Sequence, residues 1–295
     1  VDDAIGTAVG GRLVVLGARP SNGKTTYLFS WVNSLYADPM AMLTLRALCF
    51  WTERSLELAY WTWAALRFGL PLDAVVKGHW AELPDGAEAA LTTEREQLRW
   101  RAYESESWIR FAQEERPTVA DVVGAVEAMK PNVLVLDYLQ RIKPAPRQTK
   151  FEAIGEAATV LQQLAVQHGL LVVVGSQLKR RGDGVFDKYL PPHLEDFKLS
   201  GEIEENADIA LGLYRPTKRM THKDKQAIRD GQEDISAWAY PNTMAVKVLK
   251  HRYWGEAADR IVRVRCQDGQ VRDAEFTPSG APTWAGDAYE EPAPF

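Results

Sequence analysis

Cysteine is nearly absent from this chain. Two in 295 residues, Cys49 and Cys266, are too few for a disulfide or metal framework. Both fall in or at the end of expected strands, so they read as buried thiols in a reducing compartment. No apolar run is long enough to cross a bilayer, so no membrane partner is expected. No secretory signal pattern opens the chain, and Val1 stands first where Met would, which leaves room for an upstream segment. A dominant charge is also missing. With 40 acidic and 35 basic residues the net charge is −5, unlike a strongly basic nucleic-acid binder. That average leaves room for a local basic channel. Lys179, Arg180 and Arg181 form one cluster, and Lys218, Arg219 and Lys223 another. Taken alone, each reads as a solvated loop. There is no internal repeat.

What is present is the material of a globular protein: 46% hydrophobic and 25% charged residues, enough for one large domain or two small ones. The most telling segment follows the apolar run at 13–16. It reads Ala18, Arg19, Pro20, Ser21, Asn22, Gly23, Lys24, Thr25, Thr26. Between a strand and a helix, such a loop turns successive backbone N–H groups toward phosphate oxygens, aided by the positive end of the helix. Lys24 is placed to reach the β- and γ-phosphates, and the Thr25 hydroxyl to ligate Mg²⁺. Ala18 stands where this loop usually has glycine.

Apolar runs and helical periodicity alternate along the chain. Strands are expected over 12–16, 47–51, 107–111, 133–136, 170–175 and 209–214. Helices are expected over 24–36, 56–68, 88–104, 119–129 and 151–167. Strands at 244–249, 261–265 and 271–276 follow, the last two as a hairpin around Asp268 and Gly269. Residues 182–199, with two glycines and two adjacent prolines, read as a mobile loop, and 215–241 as a polar insertion. The stretch from 277 onward reads as a flexible acidic tail. Strand–helix alternation implies an α/β fold with a mostly parallel sheet flanked by helices. Ligand chemistry then gathers at the carboxyl ends of the strands. Lys24, Glu53, Asp137 and Gln177, each placed just after or at the end of a strand, should therefore meet.

Asp137 closes a fully apolar run, where a carboxylate can hold Mg²⁺; an ordinary helix cap would also place Asp there. Glu53 after the second strand can orient and deprotonate an attacking water, or simply be a surface acid in a first helical turn. Gln177 can sense a γ-phosphate and relay its loss to the adjacent loop, or merely cap its strand. Lys250 and Arg252 alternate at a strand end, so they point the same way if the extended conformation continues. Such a pair can stabilise charge on a transferred phosphoryl group, a neighbouring subunit's included, or be a solvated basic end.

Taken together, these segments resemble the DnaB-type replicative helicases, including their hexameric phage and mitochondrial relatives, from about residue 10 to 265. The phosphate loop is close to that family's form, alanine included. Residues 50–55, Phe-Trp-Thr-Glu-Arg-Ser, look like the segment bearing its catalytic glutamate, and 137–140, Asp-Tyr-Leu-Gln, like its Walker B segment. Ser176-Gln177-Leu178 with Lys179 and Arg180 is similar to its sensor motif. Residues 200–208 resemble the element after its DNA-contacting loop, and Lys250-His251-Arg252 its trans-acting lysine and arginine finger. The resemblance implies a RecA-like motor domain over 1–276 with a tail over 277–295, fuelled by ATP with Mg²⁺. It implies a homo-oligomeric ring of six around single-stranded DNA, in the cytoplasm of a bacterium or a phage-infected cell. Polymerase, primase or a loader are the implied partners. Lys198 and Gly201 align with residues that grip the DNA backbone, Lys179 and Arg180 are further DNA-binding candidates, and Arg215 aligns with one that stacks on the adenine.

Three features depart from the family. Leu199 stands where an acid is common, Arg54 replaces an apolar residue beside the catalytic glutamate, and no collar, primase domain or linker helix appears. The acidic end 286–295, closing on Phe295, is similar to phage helicase tails that contact polymerase. Two other readings remain at this point: a DNA-stimulated RecA-like ATPase of recombination or defence without processive unwinding, and a nucleotide-binding module without hydrolysis.

Overall fold

The computed structural model describes residues 10–38, 41–53, 55–93, 108–112, 116–179, 191–197, 200–215, 242–255, 259–267 and 270–273. Nine strands form one sheet: β1 (Arg12–Ala18), β2 (Arg46–Trp51), β3 (Trp108–Ala112), β4 (Val133–Asp137), β5 (Leu171–Gln177), β6 (Ile209–Tyr214), β7 (Thr243–His251), β8 (Ile261–Gln267) and β9 (Gln270–Asp273). Their order is β3-β2-β4-β5-β1-β6-β7-β8-β9. The first six run parallel, and β7, β8 and β9 continue the sheet antiparallel. The labelled helices are α1 (Lys24–Ala37), α2 (Ala41–Thr44), α3 (Leu56–Phe68), α4 (Leu72–Lys77), α5 (Val119–Met129), α6 (Lys150–His168) and α7 (Ser200–Asn206).

The central strands are apolar without interruption because both faces of the sheet are covered. Val14, Leu16, Val135 and Val173 face one side, where they pack with Phe29, Val32 and Trp63 from α1 and α3. Leu13, Val15, Leu134 and Val174 face the other, against Val126 of α5 and Ile154 and Leu161 of α6. On the first side Phe29 stacks on Trp51, ring centroids 3.8 Å apart. Thr118 with Asp121, and Thr149 with Glu152, form reciprocal caps that start α5 and α6. Cys49 and Cys266 are both buried free thiols, and burial raises the Cys49 thiol far above its ordinary value. Among the described residues no helix is long and apolar enough to cross a membrane.

The expected α/β class holds, and the strands run further than the apolar pattern alone suggests. β1, β4 and β5 each extend into the polar residues at their carboxyl ends, so Ala18, Asp137 and Gln177 are held by the sheet itself. One expectation is overturned. Residues 191–197, read as part of a mobile loop, are packed: Leu194–Asp196 make a 3₁₀ turn, and Phe197 is buried and bridges to Leu178. Of the expected helix 88–104, residues 87–93 are helical. The remainder of it, residue 54, 180–190, 198–199, 216–241, the 268–269 turn, and everything beyond 273, including the boundary at 276 and the tail, lie outside the described residues.

Candidate functional site

A cleft of about 440 Å³ opens at the carboxyl ends of the parallel strands. It is lined by the loop after β1 together with Glu53, Tyr138, Gln177 and Arg215. The loop passes from Ala18 to α1 through two left-handed positions, Ser21 at φ 64° and Gly23 at φ 86°. Gly23 needs its missing side chain twice over, since a Cβ there would also stand 2.7 Å from Met244 Cε. α1 has no acidic residue in its first turn and no side-chain cap. Its first N–H groups are thus left for an anion, with the helix dipole behind them.

Asp137, 2% exposed, is bonded to two of the residues that line the cleft. One carboxylate oxygen accepts from the Lys24 ammonium, and the other accepts from the Thr25 hydroxyl at 2.6 Å. Lys24 Nζ also lies 3.9 Å above the centre of the Tyr138 ring. Burial, and then the Glu53 carboxylate beside it, raise the Tyr138 phenol above its ordinary value. Thr25 Oγ1 and Asp137 are hard oxygen donors side by side. Among the described residues no group of three or more His, Cys, Asp or Glu gathers elsewhere or here. Two protein oxygens next to a phosphate loop suit Mg²⁺, which prefers to complete its shell with phosphate and water oxygens.

Thr52 fixes the two strands that carry the acids. Its N–H and its hydroxyl both donate to the Asp137 carbonyl, at 2.9 and 2.8 Å, and its hydroxyl accepts from Tyr138 N at 3.2 Å. Glu53 and Asp137 are thereby set in one frame, Glu53 exposed to the cleft. Gln140 does the same for Gln177: its Oε1 accepts from Gln177 N at 3.0 Å while its Nε2 donates to Ser176 Oγ at 2.8 Å. Beyond Gln177, Leu178 bridges to Phe197, and Lys179 N donates to the Asp196 carbonyl at 2.6 Å. Arg19 of the phosphate loop turns its buried guanidinium toward the Asp196 carboxylate, 3.7 Å away. Gly17 completes this contact, since a Cβ on it would lie 2.6 Å from Phe197 Cζ. The loop, β5 and residues 193–197 thus form one packed unit.

The structure brings together Lys24, Thr25, Glu53, Asp137, Gln177 and Arg215, as the strand-end argument requires. It does not bring Lys250 and Arg252 there. β7 runs against β6, with Ala245 opposite Tyr214 and His251 opposite Ile209. Its far end therefore lies at the opposite edge of the sheet, roughly 20 Å from the cleft at about 3.4 Å per residue. The strand also stops at His251, so Arg252 sits in the following turn and not in an extended alternation. The two side chains still converge. Lys250 Nζ donates to the carbonyls of Glu204 and Glu205, and Arg252 Nη2 donates to Glu205 O at 2.6 Å. Burial, and then Arg252 beside it, lower the Lys250 ammonium from its ordinary value. Lys179 is exposed and Gly201 is exposed on α7, while Arg180 and Lys198 lie outside the described residues. Sequence reasoning assigned no role to Thr52, Gln140, Asp196, Phe197 or Asp208, although Thr52, Gln140 and Asp208 stood within recognised motifs.

The model of the family "DnaB-like helicase C terminal domain" matches residues 1–263. The replicative DNA helicase DnaB of Helicobacter pylori (strain 26695) is 27% identical over 278 residues, 90% of this chain and 50% of that protein. DnaB of Rickettsia conorii is 32% identical over 126 residues, 41% of this chain and 24% of that one. The chain spans half or less of the length of these relatives. Among solved structures, a DnaB-like replicative helicase studied with primase superposes with a TM-score of 0.68 at 19% identity, over 91% of this chain and 58% of that one. A second solved structure, an ATPase domain, gives the same TM-score and identity over 90% of this chain and 85% of that one. Both show that the fold is shared.

Proposed function

The chain belongs to the DnaB-like helicase C-terminal domain family, and from that premise we propose that it is an ATP-hydrolysing motor core that moves on single-stranded DNA and unwinds duplex. The reading rests on one observation above all: the cleft and the basic pair lie at opposite edges of one sheet. A pocket that needs the pair must receive it from another copy. Head-to-tail contacts of this kind close into rings, and the family resemblance makes the ring a hexamer.

In this reading the N–H groups at the start of α1 hold the triphosphate, and Lys24 adds its ammonium to the β- and γ-oxygens. Arg215 stacks on the base. Thr25 and Asp137 would hold Mg²⁺, whose charge would offset that of the phosphoryl oxygens. Glu53 accepts a proton from the attacking water on its carboxylate. Gln177 contacts the γ-phosphate, and its loss is felt at Phe197 and residues 193–197 through the Leu178 bridge. Lys179, Arg180, Lys198 and the Gly201 amide contact the DNA backbone. Backbone contacts suit a motor that must pass over any sequence. Primase, a loader or polymerase are partners of the whole assembly, and the cytoplasm of a bacterium or phage-infected cell is its place.

Mixed assemblies test the sharing of sites. Glu53→Gln removes the base but keeps the finger, and Arg252→Ala removes the finger but keeps the base. Each alone should lose DNA-stimulated turnover. Co-assembled at equal ratio, about a quarter of the interfaces pair an intact pocket with an intact finger, and turnover returns in that proportion. No recovery, or a full-speed Arg252→Ala protein, refutes the reading. Strand separation on a forked duplex then distinguishes a helicase from an ATPase that only binds DNA.

A further inference from the structure

Arg252 does not project freely into solvent. Its backbone N–H donates to the Asp208 carbonyl at 2.8 Å, and its Nη1 donates to Asp208 Oδ1 at 3.0 Å. Asp208 lies between α7 and β6 and is 1% exposed, whereas the Arg252 side chain is 38% exposed. The buried carboxylate is anchored on its other side. Its Oδ2 accepts from Leu13 N at 2.8 Å, and its own N–H donates to Leu13 O at 2.9 Å. Tyr253, whose ring carries the Arg12 guanidinium 4.6 Å above it, donates its hydroxyl to Asp208 Oδ1 at 3.3 Å.

This arrangement differs from an ordinary surface ion pair. A carboxylate so deeply buried needs several donors, and here β1 and the turn after β7 supply them. A guanidinium offers five N–H donors in a planar fork. Asp208 takes one and the Glu205 carbonyl another. Two bonds from a plane fix its direction, and three donors remain for an incoming anion. The neighbouring carbonyls of Glu204 and Glu205, at the negative end of α7, steady Lys250 in the same way.

We propose that Asp208 is the positioning residue of the trans-acting arginine, holding the Arg252 guanidinium at the angle at which it meets a neighbour's nucleotide. The inference rests on the shared-site reading above. It makes the buried carboxylate of one copy matter to the chemistry of the next, without touching substrate.

Asp208→Asn tests it. The side-chain oxygen can still accept from Leu13 N, but the amide now presents donors toward Arg252. DNA-stimulated kcat should fall by about ten- to a hundredfold, with KM for ATP within twofold. Asp208→Glu, which restores the charge one methylene displaced, should recover part of that loss, and it carries the test if the Asn variant does not fold. The decisive readout is mixing. Asp208→Asn co-assembled with Glu53→Gln should regain turnover as Arg252→Ala does, because its own pocket is sound and only its finger is misaimed. If Arg252→Ala is rescued by Glu53→Gln and the Asp208 variants are not, or if their kcat equals that of the parent, the positioning role is overturned. If Arg252→Ala itself is not rescued, the shared-site reading has failed first.

Discussion

Gly17→Ala adds one methyl group where the loop after β1, the strand β5 and residues 193–197 meet. A Cβ at that position would stand 2.6 and 2.7 Å from Phe197 Cζ and Cε1 and 2.7 Å from Leu178 Cδ2. All three distances are well inside van der Waals contact. Phe197 and Leu178 are both fully buried, so neither can swing into water. Overpacking of this kind costs about 1–3 kcal/mol. The lost freedom of a strand glycine in the unfolded chain returns roughly 0.5–1 kcal/mol. The net destabilisation is therefore about 1–2 kcal/mol, read as a shift of the urea midpoint of dilute, nucleotide-free protein. Phe197→Leu removes the ring atoms that clash. In that background Gly17→Ala should be milder by about 1 kcal/mol, since only Leu178 still has to move. The same displacement of Phe197 should weaken stimulation by single-stranded DNA while leaving basal turnover in place. If the two substitutions are additive within about 0.5 kcal/mol, the close contact does not exist and the coupling argument falls with it.

Asp137→Asn should cut ATP turnover by about a hundredfold or more, because the charge opposite Lys24 and beside Thr25 is gone. The loss of stability should be only about 1–2 kcal/mol, below the full penalty for breaking a buried pair, since Lys24 is 13% exposed and borders an open cleft. Turnover within threefold of the parent would refute the assignment. The caps of α5 and α6 give a pH signature. Hydrogen bonds from the Thr118 side chain and then its backbone lower the Asp121 carboxyl from 3.8, and those from the Thr149 backbone and then its side chain lower the Glu152 carboxyl from 4.5. Folded values below unfolded ones mean that the stabilisation is complete above those ordinary values and is lost as pH falls through the lowered ones. The urea midpoint of the Thr118→Val, Thr149→Val double variant should therefore lie furthest below the parent's above those ordinary values, and the gap should narrow as pH falls through the lowered ones, down to the part owed to the lost hydroxyl acceptors of Asp121 N and Glu152 N. Parallel curves would show that the caps are not formed.

The strands and the cleft were legible because both obey local rules. Uninterrupted apolar runs mark buried parallel strands, and the polar residue that ends each one marks the carboxyl edge. What escaped were the contacts between distant positions that no strand end marks. Thr52 and Gln140 act by gripping strands 85 and 37 residues away, and nothing in their local pattern reveals it. Residues 191–197 were misread for a physical reason: prolines and glycines mark irregular backbone, and irregular backbone can still be packed. A Cβ on Gly212 would lie 2.7 Å from Pro192 Cγ, so that proline serves as a packing surface for β6. The direction of β7 was likewise invisible, because a strand pattern carries no sign. That direction decides which end of the molecule bears Arg252.

The antiparallel turn of β7 has an arithmetic consequence for any array of these molecules. If each pocket is completed by a neighbour's Arg252, as proposed, every linear string of n copies has a first member whose finger touches nothing and a last member whose pocket goes unfinished, so at most n − 1 centres would burn fuel. Output per copy climbs with length and becomes complete only when the string bites its own tail. On that proposal dilution would silence turnover without unfolding the protein, and any surface that brings the two loose ends together would act as its ignition.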